Sequence, residues 1–189
     1  MHISAHAQVG LVLAVVTGVA SQIVAAQGQP ASAEQVRRGE YLVRFGGCHD
    51  CHSPKTMTAA GPAPDATRLL SGHRADAKLP PVPADALGPG RWGAITNNDL
   101  TAWAGPWGIS FAANLTPDKN TGLGGWSASQ FIQTMRTGKH LGIGRPLLPP
   151  MPWQDLDALT DQDLTAVFAY LMSLKPVDNQ VPPPIPPMK

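Results

Sequence analysis

Both cysteines of this 189-residue chain fall within five consecutive residues, Cys48-His49-Asp50-Cys51-His52. C-x-x-C-H is the pattern of covalent c-type haem attachment. Two thiols three residues apart suit the two vinyl groups of one haem, and the imidazole of the next residue then falls beneath the iron. Three plainer readings compete. A Cys48–Cys51 disulfide gives His52 no role, and no strand–helix–strand pattern of a thioredoxin-like domain surrounds the pair. A structural zinc ion usually takes four ligands, and no second Cys/His cluster completes the set. The third makes His52 an incidental neighbour. Only haem attachment uses all three residues, so one covalently bound haem c is expected, with Cys48 and Cys51 as tethers and His52 as axial ligand. His49 reads as a solvent-edge residue, because its neighbour takes the iron.

A second axial ligand must approach the opposite haem face from a distant, non-helical segment. Met151 fits, in Pro146-Leu147-Leu148-Pro149-Pro150-Met151-Pro152-Trp153. Proline holds φ and removes backbone donors, favouring a stiff extended loop that presents one side chain. Met57 is too close to His52 to reach around the porphyrin edge. Met135 and Met172 sit at helical spacing, where core packing is the plainer reading. Met1 and Met188 lie in the leader and the tail. The rival sixth ligands are His140 and His73, which would make a bis-histidine haem. With His52 and Met151 both bound, iron has no open position, and its task is to move single electrons. An open position would instead suit a sensor or peroxidase.

Composition narrows the rest. Charged residues are 14% and the formal net charge is +1, which excludes a strongly basic nucleic-acid binder and predicts weak electrostatic steering of partners. Twenty prolines and 19 glycines leave little room for long regular helices. Residues 1–26 read as a secretory signal: an apolar run from Val9 to Ala20, then Val24-Ala25-Ala26 before Gln27, although no Lys or Arg precedes the run. The alternative is an uncleaved anchor, for which the run is short of the roughly 20 residues a span needs. No other window reaches that length. The expected organisation is a signal peptide (1–26), a cytochrome c domain (27–176) and a Pro-rich tail (177–189), exported to the periplasm, free or membrane-associated, with no integral span in the mature chain.

Three helices are predicted. Ser32 with Gln35 forms a capping box before Val36, Gly39 and Val43, and Gly46-Gly47 ends that helix just ahead of the cysteine motif. Gly39 inside a helix costs about 1 kcal/mol relative to Ala, which implies close packing against another element. The final helix, started at Thr160 and stopped by Pro176, offers Phe168 or Tyr170 as the partner. Ser127 and Gln130 cap a middle helix running to Gly138. Together these predict an all-α fold wrapped around one haem. Residues 53–126 contain nine prolines and no sustained periodicity, and read as a long irregular segment lying against the haem. Trp92, Trp103, Trp107 and Trp126 within it read mostly as core packing, with one indole N–H a candidate partner for a haem propionate. Asp118 to Gly122 reads as a turn, and Val181 to Pro187 as a polyproline-like surface strap.

Four segments carry a closer likeness: Ala113-Asn114-Leu115-Thr116-Pro117-Asp118, Gly124-Gly125-Trp126-Ser127, Met135-Arg136-Thr137-Gly138 and Pro149-Pro150-Met151-Pro152-Trp153. With the haem motif near the N-terminus and the methionine loop before the last helix, the chain resembles a class I c-type cytochrome. More narrowly, it resembles one haem module of the cytochrome subunits serving periplasmic alcohol and sugar dehydrogenases. Those subunits carry three haems, whereas this chain has a single C-x-x-C-H. The likeness implies thioethers at Cys48 and Cys51, His52 as proximal ligand and Met151 as distal ligand. It also implies electron transfer without substrate chemistry, between a dehydrogenase donor and a cytochrome or oxidase acceptor. The alternatives are an accessory haem subunit of a membrane-associated dehydrogenase complex, an open-iron sensor or peroxidase, and an exported binding protein held by a Cys48–Cys51 disulfide.

Overall fold

The capping signals place the helices where the sequence predicts them. In the computed structural model, which describes residues 30–187, Ser32 Oγ accepts from Gln35 N and the Gln35 side chain accepts from Ser32 N, opening α1 (Ala33–Phe45). The motif itself forms a short helix, α2 (Cys48–His52). A second capping box, Ser127 with Gln130, opens α3 (Ala128–Thr137), which Gly138 closes in the left-handed conformation. The single turn α4 (Trp153–Leu156) leads to α5 (Asp161–Ser173). There Thr160 Oγ1 accepts from Asp163 N, and Asp161 and Asp163 complement the positive end of the helix dipole. The signal expected at residues 1–26 lies outside the described residues. No helix among those described is long and apolar enough to cross a membrane.

Gly39 is where α1 meets α5. A Cβ there would lie 1.9 Å from Ala166 O and 2.8 Å from Tyr170 Cβ, so only glycine allows this approach. The expected aromatic partner is Tyr170; Phe168 instead meets Phe131, with ring centroids 5.5 Å apart. Around this crossing Leu42, Val43, Phe131, Met135, Leu164 and Leu171 form the buried core.

The expectation of an all-α fold is wrong. Two small antiparallel sheets occupy the segment expected to be irregular. One is the hairpin of β1 (Lys55–Thr58) and β2 (Gly61–Pro64); the other has the order β3 (Ile95–Thr96), β4 (Ala102–Gly105), β5 (Gly108–Phe111). Strands of four residues or fewer are too short for alternation to emerge from a sequence window. The β1–β2 and β4–β5 reversals rest on Gly61 and Gly108, at φ of +107° and +93°, a region glycine enters without steric cost, while the β3–β4 reversal runs through Asn97–Leu100 with Leu100 at φ +60°. Trp92 is 72% exposed, which corrects its reading as core. Trp103 and Trp107 do sit half-buried in the sheet region, their indole N–H groups donating to Leu100 O and Ser110 Oγ. Asp118 forms the expected turn, its carboxylate accepting from the backbone of Asn120 and Thr121. The C-terminal segment is a strap, as expected: Ile185 and Ile109 exchange two backbone hydrogen bonds at 2.8 and 2.9 Å.

Candidate haem site

Two glycines convert the end of α1 into the start of the motif helix. Gly46 N donates to Leu42 O at 2.8 Å, closing α1, and Gly47 turns the chain at φ +64° and ψ +24°. One residue later α2 begins, so Cys48, Cys51 and His52 share barely more than one helical turn anchored to the core. The cysteines are half-buried free thiols. Burial pushes the Cys48 thiol up to about 11 and raises Cys51 as well, so both are protonated at neutral pH. Lys55, which the sequence analysis passed over, caps the carbonyl end of this helix: its Nζ donates to His49 O, Asp50 O and Ser53 O at 3.1, 2.9 and 2.6 Å. A cation shortly after a helix end is the signal that would have found it.

His52 is 8% exposed. Its Nδ1 lies 2.8 Å from Ala113 O. A carbonyl only accepts, so Nδ1 carries the proton and Nε2 keeps its lone pair. Burial also lowers the pKa of the ring, favouring the neutral form that a metal ligand requires. The acceptor that the fold selects lies 61 positions away in the chain. His49 makes no such contact, bonding Ser53 Oγ at 3.0 Å.

Met151 comes from a segment about a hundred residues further along the chain. It is half-buried and packs, like Cys48, against the core cluster. Its loop is pinned at both ends. Leu147 N donates to Gly138 O at 2.7 Å and Ser110 Oγ donates to Pro149 O at 2.6 Å. Beyond the methionine, the Trp153 ring lies on Gly138, where a Cβ would come within 2.4 Å of it. The rival ligands sit in other surroundings: His73 Nδ1 lies 2.9 Å from Thr101 Oγ1 with its ring against Phe111 beside β5, and His140 meets the Trp126 ring edge-on. Met57 is 80% exposed on β1, and Met135 belongs to the core. Two free thiols, a neutral imidazole of settled tautomer and a thioether that shares the core cluster with Cys48 form a donor set whose chemistry fits a covalently held haem.

Known proteins resemble this chain in sequence. The gluconate 2-dehydrogenase cytochrome c subunit of Pantoea cypripedii is 31% identical over 181 residues, 92% of this chain and 32% of that protein. The fructose dehydrogenase cytochrome subunit of Gluconobacter japonicus is 37% identical over 82 residues, covering 43% of this chain and 17% of its own length. The cytochrome c subunit of the quinone-type alcohol dehydrogenase of Gluconobacter oxydans is 28% identical over 157 residues, 82% of this chain and 25% of that one. The chain is a homologue of dehydrogenase cytochrome c subunits. No family model matches it. It spans a third or less of the length of these three relatives. By name all three are the cytochrome subunits of dehydrogenases.

Proposed function

We propose that the chain is an exported electron-transfer module holding one haem c. In this reading Cys48 and Cys51, two half-buried free thiols, would hold the haem covalently as thioethers. His52 Nε2 is the proximal iron ligand and Met151 Sδ the distal one. The single observation that carries the reading is the His52 Nδ1–H bond to Ala113 O, because it orients the ring and leaves the other nitrogen basic. Haem, when bound, supplies one-electron Fe(III)/Fe(II) exchange. The protein's part is to hold the imidazole neutral, to present a soft thioether that favours the reduced state, and to keep apolar side chains around both.

The donor in this reading is a dehydrogenase, and the acceptor a respiratory cytochrome or oxidase. The names of the relatives favour service as a haem subunit of a dehydrogenase complex over service as a free carrier. Expression with cytochrome c maturation machinery tests the site. The expected result is haem that stays on the denatured chain, a low-spin spectrum, and the weak red band of Met–Fe(III) ligation. Haem that is lost on denaturation, or a reduced form that binds carbon monoxide readily, would overturn it. Co-purification with a larger dehydrogenase separates subunit from carrier.

A further inference from the structure

Beyond the last helix the chain returns across the molecule, and one buried side chain in that strap is bonded to the segment that faces His52. Asn179 is 5% exposed. Its Nδ2 donates to Ser71 O and to His73 O, each at 2.8 Å, and its Oδ1 accepts from Ala75 N at 3.0 Å. Its own backbone N donates to Thr121 Oγ1 at 3.0 Å.

The two carbonyls that Asn179 holds flank Gly72, and Gly72 touches both sides of the His52 arrangement. Its N–H donates to His52 O at 2.8 Å. Its bare Cα lies against the peptide that accepts from the His52 ring: a Cβ would sit 2.5 Å from Ala112 O and 2.6 Å from the carbon and oxygen of the Ala113 carbonyl. At φ +78° the position also favours glycine. The next residue, His73, donates its N–H to Ala112 O at 2.9 Å. Within the loop the buried Ser71 Oγ makes no hydrogen bond, and the one side-chain bond is that of His73 Nδ1 with Thr101 Oγ1 at 2.9 Å, so the Ser71 and His73 carbonyls are held by Asn179. On the far side of Ala113, Asn114 Nδ2 donates to Val177 O, two residues before Asn179, at 2.8 Å.

We infer that Asn179 is a positioning residue for the iron ligand, setting the His52–Ala113 hydrogen bond by clamping the Ser71–Gly72–His73 loop against it. This rests on the proposed role of His52. The consequence is electronic as well as structural. A well-held Nδ1–H···O=C bond raises the basicity of the imidazole and stabilises Fe(III), so loosening it weakens the donor and shifts the reduction potential upward.

The test uses the full haem-loaded chain. Asn179→Ala removes the clamp, and Asn179→Asp replaces its two N–H donors with a carboxylate facing two carbonyl oxygens. Ile185→Pro serves as the control, deleting the N–H that bonds Ile109 while leaving Asn179 intact. Redox titration and hydrogen exchange are the two readouts. The expected result is an upward potential shift in Asn179→Ala and, in both Asn179 variants, exchange of the Gly72 amide faster by about tenfold or more; because the added negative charge of Asn179→Asp by itself favours Fe(III), that variant is read by exchange alone. Ile185→Pro is expected to lose some thermal stability with both readouts unmoved. If Asn179→Ala fails to mature, Asn179→Ser, which keeps one donor, gives the same shift on a smaller scale. A haem-loaded Asn179 variant with wild-type potential and wild-type Gly72 exchange overturns the inference, as does an equal shift in Ile185→Pro. A wild-type protein whose low-spin spectrum survives His52→Ala overturns the underlying ligand assignment instead.

Discussion

The two proposed axial ligands are held in different ways. His52 sits inside a lattice of backbone hydrogen bonds: its carbonyl accepts from Gly72, its ring donates to Ala113, and Lys55 caps the helix that carries it. Met151 rides on a proline-stiffened loop pinned through Ser110, Gly138 and Trp153, none of which touches the thioether by a polar contact. A polar ring can be oriented through its second nitrogen, whereas a thioether has no second donor or acceptor and must be placed by the shape of its loop. Disturbance on the His52 side therefore acts on the ligand's electronics. On the Met151 side it acts on whether the ligand arrives at all.

The largest expected effect is that of His52→Ala, which removes the proximal nitrogen; absorption spectra of the matured protein should show the low-spin form essentially abolished. Met151→Ala comes next. Haem stays covalently attached, the red band disappears and the reduced form binds carbon monoxide. An oxidised spectrum unchanged by this substitution would remove Met151 from the site and erase the contrast.

Smaller changes sharpen the comparison. Gly138→Ala forces a side chain into a left-handed position and against the Trp153 ring, so denaturant unfolding should show a loss of about 1–3 kcal/mol with a weakened red band. Ser110→Ala deletes the donor to Pro149 O and should cost about 1 kcal/mol, with the same spectral direction and no change in Gly72 amide exchange. The smallest effect belongs to the loop on the His52 side. Burial lowers the pKa of His73, opposed by the neighbouring Asp99 carboxylate. The unfolded chain therefore takes up a proton before the folded one does as the pH drops. This contribution to stability is present above the ordinary histidine pKa of about 6.5 and is lost as pH falls through the folded value. Thermal melts from pH 7 to 5 should show that decline, and His73→Gln should flatten it.

What could be read from the sequence is local. Ser32 with Gln35, Ser127 with Gln130 and Thr160 with Asp163 each satisfy their own helix ends within three residues, so cap chemistry alone locates α1, α3 and α5. The C-x-x-C-H spacing is equally self-contained, and Gly39 announces a close helix crossing because a glycine inside a helix needs a reason. Tertiary structure decided what depends on residues far apart in the chain. The five short strands between Lys55 and Phe111 have too few residues for a period to show, and they form because tight reversals and partner strands bring their backbones together. Ala113 as the acceptor for His52, Gly72 as the residue wedged between them and Asn179 as the clamp lie 61, 20 and 127 positions from His52, respectively. A backbone carbonyl has no side-chain identity to betray its role, so only the folded chain could select it.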